Sequence, residues 1–374
     1  MKFVLIPDSF KGTLSSTHIC SVLKEEILRQ FPRAEVVSVP VADGGEGTVD
    51  AFLEAMGGHR ESVTVKGPFF EDMECSYGIL SDGITAVVEM AACAGLPLVE
   101  GRKNPSAATT YGVGQLIRHA AGKGVRKIIA GLGGSATNDG GCGMAAALGI
   151  LFYDKDGNTF IPTGGTLSHI AKIDYSGLDP AVRNVEIVTM CDIKNPMHGK
   201  TGAAYIFAPQ KGADSETVEF LDRNLVHLDR IVSAIKGKDI GAIPGSGAAG
   251  AMGAGMVAFL DSELRSGIQI LLDIVGFDEI ISDADYIFTG EGLLDGQSLG
   301  GKVVAGIAAR AALQGRKVIA IVGGVRDTEI PDVYNMGVTA VFPINRLPQD
   351  FSVSRHFSEQ NLRHTAADIL RLLK

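Results

Sequence analysis

The stretch Lys127-Ile-Ile-Ala-Gly-Leu-Gly-Gly-Ser-Ala-Thr-Asn-Asp-Gly-Gly-Cys-Gly143 decides how the chain reads. A short apolar, β-branched run (127–130) stops at glycines mixed with hydroxyl, amide and carboxylate residues. A helical pattern (144–148) follows, so the segment predicts strand, turn and helix. The same order recurs on both sides. Residues 3–7 lead into Asp8-Ser-Phe-Lys-Gly12, and 35–41 into Asp43-Gly-Gly-Glu-Gly-Thr48. Residues 186–190 lead into Cys191-Asp-Ile-Lys-Asn-Pro196, 286–288 into Thr289-Gly-Glu-Gly292 with Asp295, Gln297 and Lys302 beyond, and 318–322 into Gly323-Gly324. Strands alternating with helices predict a mainly parallel α/β sheet, because parallel neighbours need crossovers. Ligands of such sheets sit beyond the carboxyl ends of the strands, where these polar turns fall.

Residues 61–90 differ in texture. Three apolar segments (62–65, 73–80, 85–90) are split by Gly67-Pro68 and Ser81-Asp-Gly83, which predicts antiparallel hairpins and a second domain. The tail, with helices at 300–313 and 360–373 and strands at 318–322 and 338–343, returns to the rhythm of the first sixty residues. The expected organisation is therefore α/β in two domains. A discontinuous parallel-sheet domain (1–65 plus 285–374) receives an inserted mixed α/β domain (66–284), with the site in a cleft between them.

The chain has 374 residues, 45% hydrophobic and 21% charged, with a net charge of −9. These values exclude disorder and fibrous classes, and the acidic balance speaks against a nucleic-acid partner. Glycine, 48 residues, is nearly twice its usual share of ~7%. Five scattered cysteines without CxxC spacing predict reduced thiols rather than a disulfide or zinc framework. No export signal opens the chain, so a cytoplasmic location is expected. The uncharged run 240–260 is interrupted by six glycines and Pro244, and reads as a buried loop and helix rather than a membrane span.

The turns carry the parts that phosphoryl transfer needs. The glycines of 131–143 lead into a helix whose free amides would suit a phosphate or carboxylate, with Ser135, Thr137 and Asn138 adding donors. No lysine follows as in GxxxxGK[ST], so any nucleotide site here is of another type. Lys11 and Lys302 are the best-placed cations, and Asp43, Glu46, Asp192, Glu291 and Asp295 the best-placed carboxylates. The bland reading is that glycines make tight turns while Ser, Asp and Asn cap helices. Gly245-Ser-Gly-Ala-Ala-Gly250 matches GxGxxG, but 237–244 makes no convincing strand, so it reads as close packing together with Gly253 and Gly255. Among the histidines only His198 lies near a proposed site; His18, His119, His227 and His364 read as solvent-facing helix residues.

Taken together, Pro7-Asp-Ser-Phe-Lys-Gly12, Pro40-Val-Ala-Asp-Gly-Gly-Glu-Gly-Thr48, Gly133-Gly-Ser-Ala-Thr-Asn-Asp-Gly-Gly141, Phe207-Ala-Pro-Gln-Lys-Gly212, and Thr289-Gly-Glu-Gly292 through Gln297-Ser298 and Gly301-Lys302 resemble the bacterial glycerate kinase type-1 family over the whole chain. The resemblance implies an ATP- and Mg2+-dependent kinase acting on D-glycerate at the 2-hydroxyl to give 2-phosphoglycerate and ADP. It also implies one flavodoxin-like domain and one mixed-sheet domain similar to restriction endonucleases. One departure stands at Leu293, where relatives often carry arginine.

On this reading Gly133, Gly134, Ser135, Thr137 and Asn138 bind nucleotide phosphates or the substrate carboxylate, with Gln297 and Lys302 also on the nucleotide. Lys11 and Lys302 neutralise phosphate. Asp43, Glu46, Glu291 and Asp295 hold the metal, a role also open to Asp192. Asp192 is the first choice to orient or deprotonate the hydroxyl, and Asp8 the second. The competing readings are a nucleotide-dependent dehydrogenase, which needs 245–250 as a true fingerprint, and a hydroxy-acid binding protein that consumes no ATP. No nucleic-acid or membrane partner is expected, and self-association is left open.

Overall fold

Five short runs near the two ends of the chain are rich in β-branched and aromatic residues, and three of them are buried almost throughout. That is the pattern of strands covered on both faces. In the computed structural model, which describes residues 1–10, 12–41, 47–295, 303–326, 330–347 and 349–374, they form one parallel sheet. The order is Glu35–Ser38, Lys2–Leu5, Tyr286–Thr289, Val318–Val322, Val338–Pro343. Counted in their own chain order these strands run 2-1-3-4-5, the flavodoxin-like arrangement that the resemblance implies.

Helix Ser16–Gln30 starts at Ser15, whose hydroxyl accepts the amide of His18 at 3.2 Å. It presents Ile19, Leu23 and Ile27 at four-residue spacing to Phe3, Leu5 and Phe288, and Leu362, Ala366 and Ile369 of helix Ser358–Leu372 complete that core. Burying each large side chain contributes roughly 1.5–3 kcal/mol.

The second sheet is mixed. Glu263–Arg265, Glu186–Met190, Lys127–Gly131 and Thr85–Glu89 are parallel neighbours, and Asp72–Leu80 and Gly58–Lys66 add two antiparallel strands. A small antiparallel sheet, Thr159–Phe160, Leu151–Tyr153 and Lys172–Asp174, lies in the same part of the chain.

The residues divide into two compact units, Met1–Asp43 with Ser266–Lys374, and Gly44–Arg265. The sequence-based boundaries lie further along, at 65 and 285, and the differences have local causes. Strand Gly58–Lys66 pairs residue for residue with Asp72–Leu80, and the Val49 amide of helix Thr48–Met56 bonds Glu89, so both elements stay with the second unit. Helix Gly267–Ile274 packs on Val303–Ala312 and so belongs to the first.

The run 240–260 is a buried loop and helix, Ala248–Leu260, and among the described residues no helix is long and apolar enough to cross a membrane. All five cysteines are free thiols, four of them buried.

Candidate functional site

Register fixes what meets at the carboxyl edge of the mixed sheet. Glu89 pairs with Gly131, Gly131 with Met190, and Met190 with Arg265, so the turns that follow these strands share one edge. The glycine-rich loop 132–141 and Asp192 therefore rise side by side. Asp192 is exposed just past its strand.

Within the loop, Gly134 is exposed, Gly133 half-buried and Ser135 only 7% exposed. The backbone on either side of Ser135 is pinned to residues 94–96: the Leu96 amide donates to the Gly134 carbonyl at 2.7 Å, and the Ala136 amide to the Ala94 carbonyl at 2.8 Å. Behind this tip Thr137 and Asn138 are wholly buried, and Thr137 Oγ1 and both amide atoms of Asn138 have no hydrogen-bond partner among the described residues. An unsatisfied buried polar group costs about 1–3 kcal/mol, so such a group needs a reason.

The helix expected after the loop, Cys142–Ala147, has six residues, and its first amides are not free to receive an anion. Asp139, wholly buried, accepts the amide and hydroxyl of Thr110 at 2.8 and 2.9 Å and the amides of Gly141 and Gly143 at 3.1 and 3.3 Å. The Thr110 hydroxyl takes the Met144 amide at 2.8 Å. The expected anion site at this helix start is thus filled by the chain itself, and the accessible part of the loop lies further back, at Gly133 and Gly134. Burial pushes the Asp139 carboxyl above the usual carboxylate range, opposed by these donors.

Lys211, absent from the sequence-based set although its motif was noted, lies under the loop. Its Nζ donates to Ser135 Oγ and to the Thr137 carbonyl, both at 2.7 Å. Burial lowers its ammonium to about 7, against the pull of Asp139. Glu89 is a second residue that sequence reasoning missed. Its carboxylate, 9% exposed, caps helix Thr48–Met56 through the Val49 amide, and burial raises its pKa. In sequence it is only a single carboxylate inside the apolar run 85–90.

The Gly245–Gly250 match follows no strand. It serves close packing instead: a Cβ on Gly253 would lie 2.3 Å from the Gly245 carbonyl, and one on Gly255 2.5 Å from that of Gly140. Ala249, Gly250 and Ala251 are all left-handed, with φ of 55°, 68° and 66°. This turn seats the loop, since the Gly140 amide donates to the Gly250 carbonyl at 3.1 Å and a Cβ on Gly250 would fall 1.9 Å from the Thr137 carbonyl.

In the other unit, the parallel sheet reverses its order between Lys2–Leu5 and Tyr286–Thr289, the switch point where such sheets take ligands. Asp8 and Glu291 follow these two strands. The Asp8 amide donates to the Gly290 carbonyl at 2.8 Å, which sets the two carboxylate residues past the ends of neighbouring strands at one edge. Glu291 is 6% exposed, and Asp8 and Asp295 are half-buried. Asp295 follows Leu293–Leu294, which pairs with Gly324–Val325 and leaves Leu293 exposed.

Lys11, Asp43, Glu46, Gln297 and Lys302 lie outside the described residues. Among the described residues no group of three or more His, Cys, Asp or Glu side chains converges as a metal cluster. Two carboxylates at a switch point do suit magnesium, which takes one or two protein carboxylates and completes its shell with phosphate and water.

His198 pairs with Asp229 at 3.0 Å. Two histidines expected to face solvent are half-buried and bonded, His119 to the Tyr77 hydroxyl at 3.0 Å and His227 to the Ile170 carbonyl at 2.8 Å, because the helices carrying them pack through those faces.

A sequence model of the glycerate kinase family matches residues 3–374. Over 345 residues the chain is 44% identical to Glycerate 2-kinase of Escherichia coli K12, covering 92% of this chain and 90% of that protein. It is 43% identical over 375 residues to Glycerate kinase of Bacillus cereus ATCC 10987, with 100% and 98% covered. A solved structure from Salmonella typhimurium LT2, provisionally assigned as glycerate kinase 2, superposes with a TM-score of 0.87 at 38% identity, covering 100% of this chain and 98% of that one.

Proposed function

The chain belongs to the glycerate kinase family, and from that premise we propose that it transfers the γ-phosphoryl group of ATP to the 2-hydroxyl of D-glycerate, giving 2-phosphoglycerate and ADP. What carries this reading is the family match across 3–374, which spans every glycine-rich turn. What supports it further is that an exposed carboxylate, Asp192, and the glycine-rich loop 132–141 follow neighbouring parallel strands at one carboxyl edge.

Asp192 orients the glycerate hydroxyl and accepts its proton, and Asp8 is the alternative base. The loop residues Gly133, Gly134 and Ser135, with Thr137 and Asn138 behind them, hold a phosphate or carboxylate group. Lys11 and Lys302 offset phosphate charge, and Gln297 assists at the nucleotide. Glu291 and Asp295, with Asp43 and Glu46, hold magnesium, an assignment in keeping with the hard oxygen donors at the switch point. Bound with the nucleotide, the ion would neutralise charge on the transferring phosphate. Five free thiols accord with a reducing, cytoplasmic setting.

The test is ADP release with D-glycerate, L-glycerate, glycerol and water as acceptors, in the presence of magnesium. D-Glycerate should be the preferred acceptor. Absence of acceptor-dependent ADP rejects the kinase reading, and a preference for glycerol rejects carboxylate recognition. Phosphorus NMR of the product should locate the phosphate on carbon 2, and a 3-phosphate would overturn the regiochemistry.

A further inference from the structure

Lys211 closes the short turn Pro209–Lys211, and Gly212 after it turns the chain away at φ 97°. Its side chain is 1% exposed, yet its two partners, Ser135 Oγ and the Thr137 carbonyl, are both uncharged. The buried acid whose charge reaches it, Asp139, spends its oxygens on Thr110, Gly141 and Gly143. A fold rarely buries an ammonium without a direct counter-ion, because desolvation is then poorly offset.

The consequence falls on Ser135. A hydroxyl oxygen that accepts from an ammonium has its own proton left to give, and charge on the donor strengthens what that proton can do. Ser135 adjoins the accessible end of the loop, next to exposed Gly134, and the backbone on either side is pinned by residues 94–96. Next to it, Thr137 Oγ1 and the Asn138 amide add polar atoms without partners among the described residues.

We propose that Lys211 is a positioning residue, which fixes Ser135 with its hydroxyl proton turned toward the loop opening, where it donates to an oxyanion of one of the two substrates. This rests on the kinase reading. The shared chemistry is a carboxylate or phosphate oxygen, and glycerate and ATP are its two sources.

Steady-state kinetics on the full-length protein test it, with KM measured for each substrate at saturation of the other in wild type, Lys211→Met, Ser135→Ala and the double variant. Lys211→Met and Ser135→Ala should each raise KM for the same substrate about tenfold or more, with a smaller change in kcat. A rise for D-glycerate assigns the carboxylate, and a rise for ATP the phosphate. The double variant should be no worse than the more affected single variant within about twofold, because one residue acts through the other.

Unchanged KM for both substrates in Lys211→Met, multiplied losses in the double variant, or a fall in kcat alone overturns the proposal. Should Lys211→Met fail to fold by circular dichroism, Ser135→Ala carries the decision, and an unchanged KM there refutes it. A wild type without glycerate-dependent ADP release overturns both the kinase reading and this inference, whereas an active wild type with unaltered variants overturns the inference alone.

Discussion

Asp139 shows how a single side chain organises the loop. It gathers four donors while wholly buried, so Asp139→Ala would strand the hydroxyl of Thr110 and three backbone amides and remove the charge that steadies Lys211. The expected loss is about 3–5 kcal/mol, read as a lower urea midpoint at unchanged slope. A loss under about 1 kcal/mol would mean the network is not needed. Asp192, in contrast, is exposed, two residues past the end of its strand. Asp192→Asn should lower kcat by roughly 10²–10⁴ while the melting temperature moves little, since surface substitutions rarely exceed ~0.5 kcal/mol. Near-normal turnover would pass the role to Asp8. At this scale the sequence offers as candidates residues whose chemistry shows locally, such as Ser135 and Asp192, which follow strands in polar turns. Lys211 escaped because Pro-Gln-Lys-Gly reads as an exposed turn, and its burial depends on residues 76 positions away.

Secondary elements were legible wherever one period held for several residues. Most of the parallel strands read as apolar, β-branched runs, though Glu263–Arg265 did not, and the hairpin Gly58–Lys66 with Asp72–Leu80 announced itself by Gly67-Pro68. The turn Ala249 to Ala251 could not be read, because its left-handed backbone is imposed by packing, and alanine carries no signal for positive φ. Gly250→Ala should therefore do two kinds of damage. Its Cβ would strike the Thr137 carbonyl at 1.9 Å, and the φ of 68° disfavours any side chain. We expect a loss of about 3 kcal/mol together with impaired activity, because the displaced atoms belong to the loop. Gly237 offers the control. It also has a left-handed φ, 64°, but a Cβ there meets nothing within 4 Å, so Gly237→Ala should cost about 1 kcal/mol and leave turnover intact. Equal losses in the two variants, by denaturant titration, would remove the packing argument.

For the molecule as a whole, the rhythm of the two chain ends pointed to a single discontinuous unit, and strand order 2-1-3-4-5 bears that class out. Its limits were less visible, since they depend on which sheet a boundary strand pairs with. A whole-chain property, stability against pH, then follows from the Lys211 site. The folded protein lowers this lysine from 10.5 to about 7. Between those values the unfolded chain binds more protons than the fold, so this group makes stability rise with pH. Below about 7 both states are charged, and the penalty of burying the ammonium is present in full. Through 7 to 9 it is progressively relieved, at a slope approaching ~1.4 kcal/mol per pH unit. Buried Cys93 and Cys142, whose pKa values burial helps to raise, act in the opposite direction above about 9, as does any other shifted group in its own range. Comparison with Lys211→Met cancels these shared contributions, because methionine does not titrate. The unfolding free energy of wild type should therefore gain on that of the variant between pH 7 and 9 in urea titrations at constant ionic strength. Parallel curves would show that the lysine keeps its ordinary pKa in the fold, and that water or an unseen counter-charge reaches it.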